Sequence, residues 1–185
     1  RYNENITAYL FMSVVVALFM GLTVSAEEII RDRKILKRET FLDLSRFSYL
    51  SSKVSIMFII SAIQTFTYII LGNLILGIEG MYMDYWLILF VSSSFANILG
   101  LNISSAFNSV VTIYILIPIL LIPQILLSGV IVKFDKLNPS LTSQTVVPIA
   151  GEMMVSRWAF EALAVNQFKE NEFEKYYYPF DKAMS

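Results

Sequence analysis

The chain has 185 residues, 56% of them hydrophobic, with a mean hydropathy of +0.64 and a net charge of −1, where a soluble domain needs only about 45–50% apolar sequence. With no Cys and no His, it offers no thiol nucleophile, no imidazole acid or base, no disulfide and few donors for a transition metal. Its near-neutral charge gives no footing for nucleic acid.

The apolar excess is gathered into charge-free runs, which marks an integral membrane protein. The first residues, RYNENITAYL, show neither Met nor a signal peptide, so the chain is expected to be part of a longer protein. Ala8 to Ala26 carries no charge and is predicted to be the first spanning helix, since about 20 apolar residues cross the roughly 30 Å of hydrocarbon. A charged stretch follows, with Glu27, Arg31, Lys34 and Arg38 at helical spacing on one face. Glu27 stands four residues ahead of Arg31, the favourable order for an ion pair. This stretch is either a solvated helix beside the membrane or a surface helix that shows its charges to a partner. Six basic residues lie between Arg31 and Arg46, and such a cluster between two spans places residues 27–51 in the cytoplasm.

The second span is predicted at Ser52 to Leu76, with Gln64, Thr65, Thr67 and Asn73 facing other helices rather than lipid. Gly77 to Asp84 is a short acidic turn without Lys or Arg, as an outside loop should be. From Tyr85 to Val132 there is no Asp, Glu, Lys or Arg. That length suits two spans, about Trp86 to Leu101 and Val110 to Val132, joined by a polar turn near Asn102 to Asn108. Pro118 and Pro123 fall inside the fourth span, where each removes a backbone donor and kinks the helix or serves a gate. Residues 133–185 are then extracytoplasmic. Within them Val147 to Phe168 is apolar but broken by Pro148, Gly151, Glu152, Arg157 and Glu161, which suits short helices resting at or dipping into the outer interface.

No catalytic constellation is visible. The serines Ser51, Ser52, Ser92 to Ser94, Ser104 and Ser105 lack a base, and no Gly-rich phosphate loop or metal-ligand spacing occurs. The spans hold no ionisable group of the kind that ion-coupled transporters keep at membrane depth. Energy for any transport must come from elsewhere.

Two stretches carry a resemblance. One runs Glu27-Glu28-Ile29-Ile30-Arg31-Asp32-Arg33-Lys34-Ile35-Leu36-Lys37-Arg38-Glu39, followed by Tyr49 and Lys53. The other runs Leu127-Ser128-Gly129-Val130, then Ser156-Arg157-Trp158-Ala159-Phe160-Glu161-Ala162-Leu163, and ends at Asn166-Gln167-Phe168. Together they resemble the membrane domain of ATP-binding-cassette exporters of the ABCG (White/pleiotropic-drug-resistance) type. The resemblance implies an all-α fold whose four spans are helices two to five of a six-helix domain. It adds a cytoplasmic connecting helix and short extracytoplasmic re-entrant helices, in a bacterial inner membrane. Residues 1–132 would be the membrane region and 133–185 an outer segment ahead of a last helix.

It also implies a non-enzymatic permease, moving a hydrophobic or amphipathic substrate between paired membrane domains. The partners would be an ATP-binding domain, which holds ATP and magnesium, a second membrane domain (a homodimer) and the bilayer; no cofactor belongs to this stretch. Glu27, Arg31, Asp32, Arg33, Arg38 and Glu39 would couple to the ATP-binding domain. Met20, Pro118, Ile122, Val130 and Ile131 would lie along the substrate path, and Arg157, Trp158 and Glu161 in the outer helix. The two prolines and the longer outer segment depart from the better-known members. The competing function is a structural or sensor membrane protein whose outer segment binds a partner and whose basic loop docks on lipid headgroups. The loop mixes Glu27, Glu28, Asp32, Glu39 and Asp43 among its basic residues, a pattern that suits a protein partner better than anionic lipid.

Overall fold

Backbone amides in hydrocarbon have no water to bond, so an apolar run closes its hydrogen bonds within itself as a helix. The computed structural model, which describes residues 5–39, 45–78, 80–131 and 149–169, shows this along the chain. Helix α1 covers Ile6–Ser25 and passes through one turn into α2, Glu28–Glu39. Next come α3, Arg46–Leu76; α4, Tyr82–Ala106; α5, Val110–Leu126; a single turn α6, Ile149–Glu152; and α7, Val155–Lys169. Gly77 ends α3 in the left-handed region at φ 68°, which glycine adopts without steric cost. Among the described residues every regular element is helical.

Among the described residues three helices are long and apolar enough to cross a membrane: Ile6–Arg38, which joins α1 to α2, Phe47–Leu76 and Tyr82–Ala106. The fourth expected span is shorter than its apolar run. Helix α5 has 17 residues and stops at Leu126, with turns from Leu127 to Ile131. The third is longer than expected, because Asn102 to Ala106 continue the helix instead of turning. Their polar groups bond back along it, Asn102 Nδ2 donating to the Ile98 carbonyl at 3.0 Å and Ser105 Oγ to the Asn102 carbonyl at 2.7 Å. The turn therefore begins at Phe107. Of the predicted outer segment, residues 133–148 and 170–185 lie outside the described residues.

Helix α4 is the centre of the bundle, with α1 on one side and α3 on the other; α7 packs on α1, α4 and α5. The α1–α4 seam is made of small residues that bring the backbones together, the usual device where lipid offers no hydrophobic drive. A Cβ at Gly21 would stand 2.5 Å from the Ser93 carbonyl oxygen and 2.8 Å from the Ala96 Cβ, and one at Gly100 would meet Ser25 and the Leu22 carbonyl. Between α3 and α4 the buried Ser61 accepts from Asn97 Nδ2 at 2.7 Å and from Ser93 Oγ at 3.0 Å. Thr65 and Asn73 are buried as predicted, and Gln64 is half-buried. Thr67 is not: it faces outward and its hydroxyl donates to the Ile63 carbonyl at 2.8 Å, a back-bond that makes a threonine tolerable on an apolar surface. The outer face of α3, with Ile59, Ile63, Leu74 and Ile75 all more than half exposed, is the surface a surrounding apolar phase would cover.

Candidate functional site

The charges of α2 converge on the ends of three other helices. Lys53, about two turns into α3, places its Nζ 2.7 Å from both Glu28 and Asp32. These carboxylates sit four residues apart on one face of α2, so a single ammonium can bridge them. Tyr49, one turn before Lys53, donates its hydroxyl to Asp32 at 3.0 Å, and its ring lies 5.9 Å from the ammonium. The Lys53 hydrogen bond holds the Asp32 carboxyl below the usual carboxylate range, against the opposing effect of burial.

Helices α2 and α4 cap one another. The first-turn amides of α2 have no carbonyl within their own helix; those of Ile29 and Ile30 donate to Ser104 Oγ on α4 at 3.1 and 3.0 Å. In return Arg33 of α2 donates to the Ser105 and Phe107 carbonyls at 2.7 and 2.9 Å and to the Asn108 side chain. A guanidinium there satisfies orphan carbonyls and opposes the negative end of the α4 dipole. Glu27 completes the set, ion-paired with Arg31 at 3.2 Å and accepting from the Tyr114 hydroxyl on α5. Helix α2 is thereby fixed to α3 and α4, with Glu27 just ahead of it touching α5, while Arg31, Lys34 and Arg38 stand exposed.

Of the predicted coupling residues, the structure joins Glu27, Arg31, Asp32 and Arg33 to this assembly and leaves Arg38 on the exposed side. Glu39 ends α2, and its side chain lies outside what the structure describes. Glu28, Lys53 and Tyr49 belong to the assembly as much as the residues assigned to coupling. Ser104, Asn108 and Tyr114 do too, and nothing in their local sequence pattern announces it.

The predicted path residues lie on α1, on α5 and in the turns after α5. Met20 is half-buried in α1. Pro118 and Ile122 are exposed on α5, off the buried stripe Ile113, Ile117 and Leu121. Val130 is half-buried and Ile131 exposed in the turns after α5. At the opposite end from α2, the Arg157 guanidinium lies 5.1 Å over the Trp158 ring and 3.9 Å from Glu161, and Trp158 Nε1 donates to the Glu152 carbonyl at 2.7 Å. Helix α7 buries Ser156, Ala159, Leu163 and Gln167, and the Tyr85 hydroxyl of α4 donates to Gln167. One face of α7 is thus packed on the bundle, and its other face, with Trp158, Glu161, Val165 and Phe168, is exposed.

A family model described as ABC-2 type transporter matches residues 2–168. No curated protein and no solved structure matches the chain at a significant level.

Proposed function

The chain belongs to the ABC-2 type transporter family as a multi-pass membrane permease domain, and from that premise we propose that it is the moving part of an ATP-driven exporter. Permease domains of this family work with ATP-binding cassette partners. On this reading α2 is the cytoplasmic helix that such a partner pushes on, through Glu27, Arg31, Asp32, Arg33, Arg38 and Glu39. Helix α5 is the fourth crossing, and the residues beyond it reach the outer face of a bacterial inner membrane. ATP and magnesium bind on the partner. Two copies of the membrane domain pair, and a hydrophobic or amphipathic cargo passes between them along Met20, Pro118, Ile122, Val130 and Ile131.

The observation that supports this best is the set of contacts holding α2 to the ends of α3 and α4. A solvated linker needs none of them, whereas a part that transmits a push needs a stiff connection to the helices it pushes. The bridge at Lys53 and the mutual caps of α2 and α4 are such connections, and the exposed Arg31, Lys34 and Arg38 leave a charged face open to a partner. The apolar, uncharged spans favour cargo that needs no counter-charge on its way.

The test uses inside-out vesicles from cells expressing the full transporter with its ATP-binding partner. Lipophilic fluorescent dyes and a fluorescent phospholipid serve as probes. ATP-dependent accumulation that is absent without the transporter and blocked by vanadate is expected. Equal accumulation with and without the transporter, for every probe, would refute an exporter of apolar cargo.

A further inference from the structure

Helix α5 is loosely built along its length and firmly held at one end. Its buried stripe is Ile113, Ile117 and Leu121 alone. Pro118 and Pro123 each deny an amide hydrogen to the carbonyl four residues earlier, which softens the helix between its ends. The end towards α2 is held by the Tyr114 hydroxyl on Glu27, with Tyr114 itself 51% exposed. Water can replace that contact at little cost.

The other end is different. Ser156 is the second residue of α7, so its amide has no carbonyl within its own helix. It donates at 3.1 Å to Gln124 Oε1 on α5. The Ser156 hydroxyl donates in return to the Gln124 carbonyl, one of the last four of α5 and likewise without a helical partner. Each helix caps the other, as α2 and α4 do at the opposite end of the bundle. Ser156 is 0% exposed, so separating the pair strands the two buried donors of Ser156, its amide and its hydroxyl. Helix α7 is in turn anchored to α4 by the Tyr85–Gln167 bond and to α1 by Phe160 packed edge-on against Phe11 at 6.1 Å.

We infer that Gln124 and Ser156 are positioning residues that form a fixed pivot for α5 during transport, with the Tyr114–Glu27 contact as the end that releases. Helix α5 and the start of α7 then move as one piece at the pivot, and the bend at the two prolines absorbs the displacement of the α2 end. The inference rests on the exporter reading, because it takes α5 to move in response to ATP.

Pulsed electron resonance between pairs of nitroxides tests it. The chain has no cysteine, so labels go only where cysteines are introduced once any elsewhere in the full transporter are changed to serine. One pair, Leu126 and Phe168, reports the pivot end; the other, Ile115 and Ile35, reports the α2 end. All four side chains are exposed. Distances are compared without nucleotide and with ATP and vanadate trapped, in the transporter with its partner. The inner pair should shift by about 5 Å, one helical turn, and the outer pair should hold. With Ser156→Ala the outer pair should shift or broaden on trapping, and with Ser156→Thr, which keeps the hydroxyl, it should hold again. An outer pair that shifts as far as the inner one overturns the pivot, as does an inner pair that stays still. So does an outer pair that holds equally in Ser156→Ala, since other packing then fixes α5. The same preparation is checked for ATP-driven dye uptake. Active uptake with the wrong distances sinks the pivot alone, whereas no uptake sinks the exporter reading on which it rests.

Discussion

Replacing Lys53 by alanine removes the only cation between Glu28 and Asp32 among the described ion pairs and leaves two carboxylates one turn apart on α2. Exposed pairs contribute about 0–1 kcal/mol, and losing one partner of a fully buried pair costs about 3–5 kcal/mol. The Lys53 side chain is 20% exposed and bridges both carboxylates at 2.7 Å, which places the loss near 2 kcal/mol, between those limits. For a chain of this size 1 kcal/mol moves the thermal midpoint by about 2–4 °C, so a fall of about 4–8 °C is expected. The loss falls on the attachment of α2 to α3, so transport per ATP hydrolysed should drop by roughly tenfold, within the usual span of coupling energies. Arg31→Ala is the control. Its side chain is 72% exposed, so the midpoint should barely change. Unfolding in detergent, followed by tryptophan fluorescence, gives the midpoint; dye uptake and phosphate release in the same vesicles give the ratio. If Lys53→Ala is no more costly than Arg31→Ala, the bridge is ornamental and the reasoning fails.

Other consequences are open to direct measurement. Gly21→Ala gains about 1 kcal/mol of helix propensity but drives a methyl against Ser93 and Ala96. Overpacking costs about 1–3 kcal/mol, so the unfolding midpoint should fall, and a rise would mean the seam can open freely. Gly77 has open space around its missing Cβ and a φ of 68°, so Gly77→Ala should cost about 1 kcal/mol and Gly77→Asn less. Single cysteines at Met83 and Met153 should react with an impermeant thiol reagent on intact cells, and one at Lys34 only after permeabilisation. The opposite pattern would invert the topology.

The parts of this fold written in short-range pattern were open to reading in the sequence. Charge-free runs located α1, α3 and α4, and the four-residue spacing of Glu27 and Arg31 forecast their ion pair. The boundaries of α4 were not readable, because Asn102 and Ser105 look like turn residues until their side chains bond back along the helix. Thr67 misled for the same reason. The α2 assembly depends on pairs far apart in the chain, such as Lys53 with Glu28 and Arg33 with Asn108, and no local periodicity encodes these. The Tyr49 and Lys53 positions entered only through family resemblance. Gln124 had no signal at all, and Ser156 entered only within the stretch of family resemblance, since a cap supplied by another helix leaves no local trace.

The central claim is that α2 touches the ATP-binding partner, and a photo-crosslinker tests it without knowledge of the cargo. A benzophenone maleimide on a single cysteine at Arg38, exposed on α2, is irradiated in the full transporter in lipid vesicles and the product is mapped by mass spectrometry. One at Met83, at the opposite end of the bundle, is the control. The account predicts adducts between Arg38→Cys and the ATP-binding domain whose yield changes when nucleotide is trapped, with none from Met83→Cys. Adducts to lipid alone from Arg38→Cys, with or without nucleotide, would contradict it.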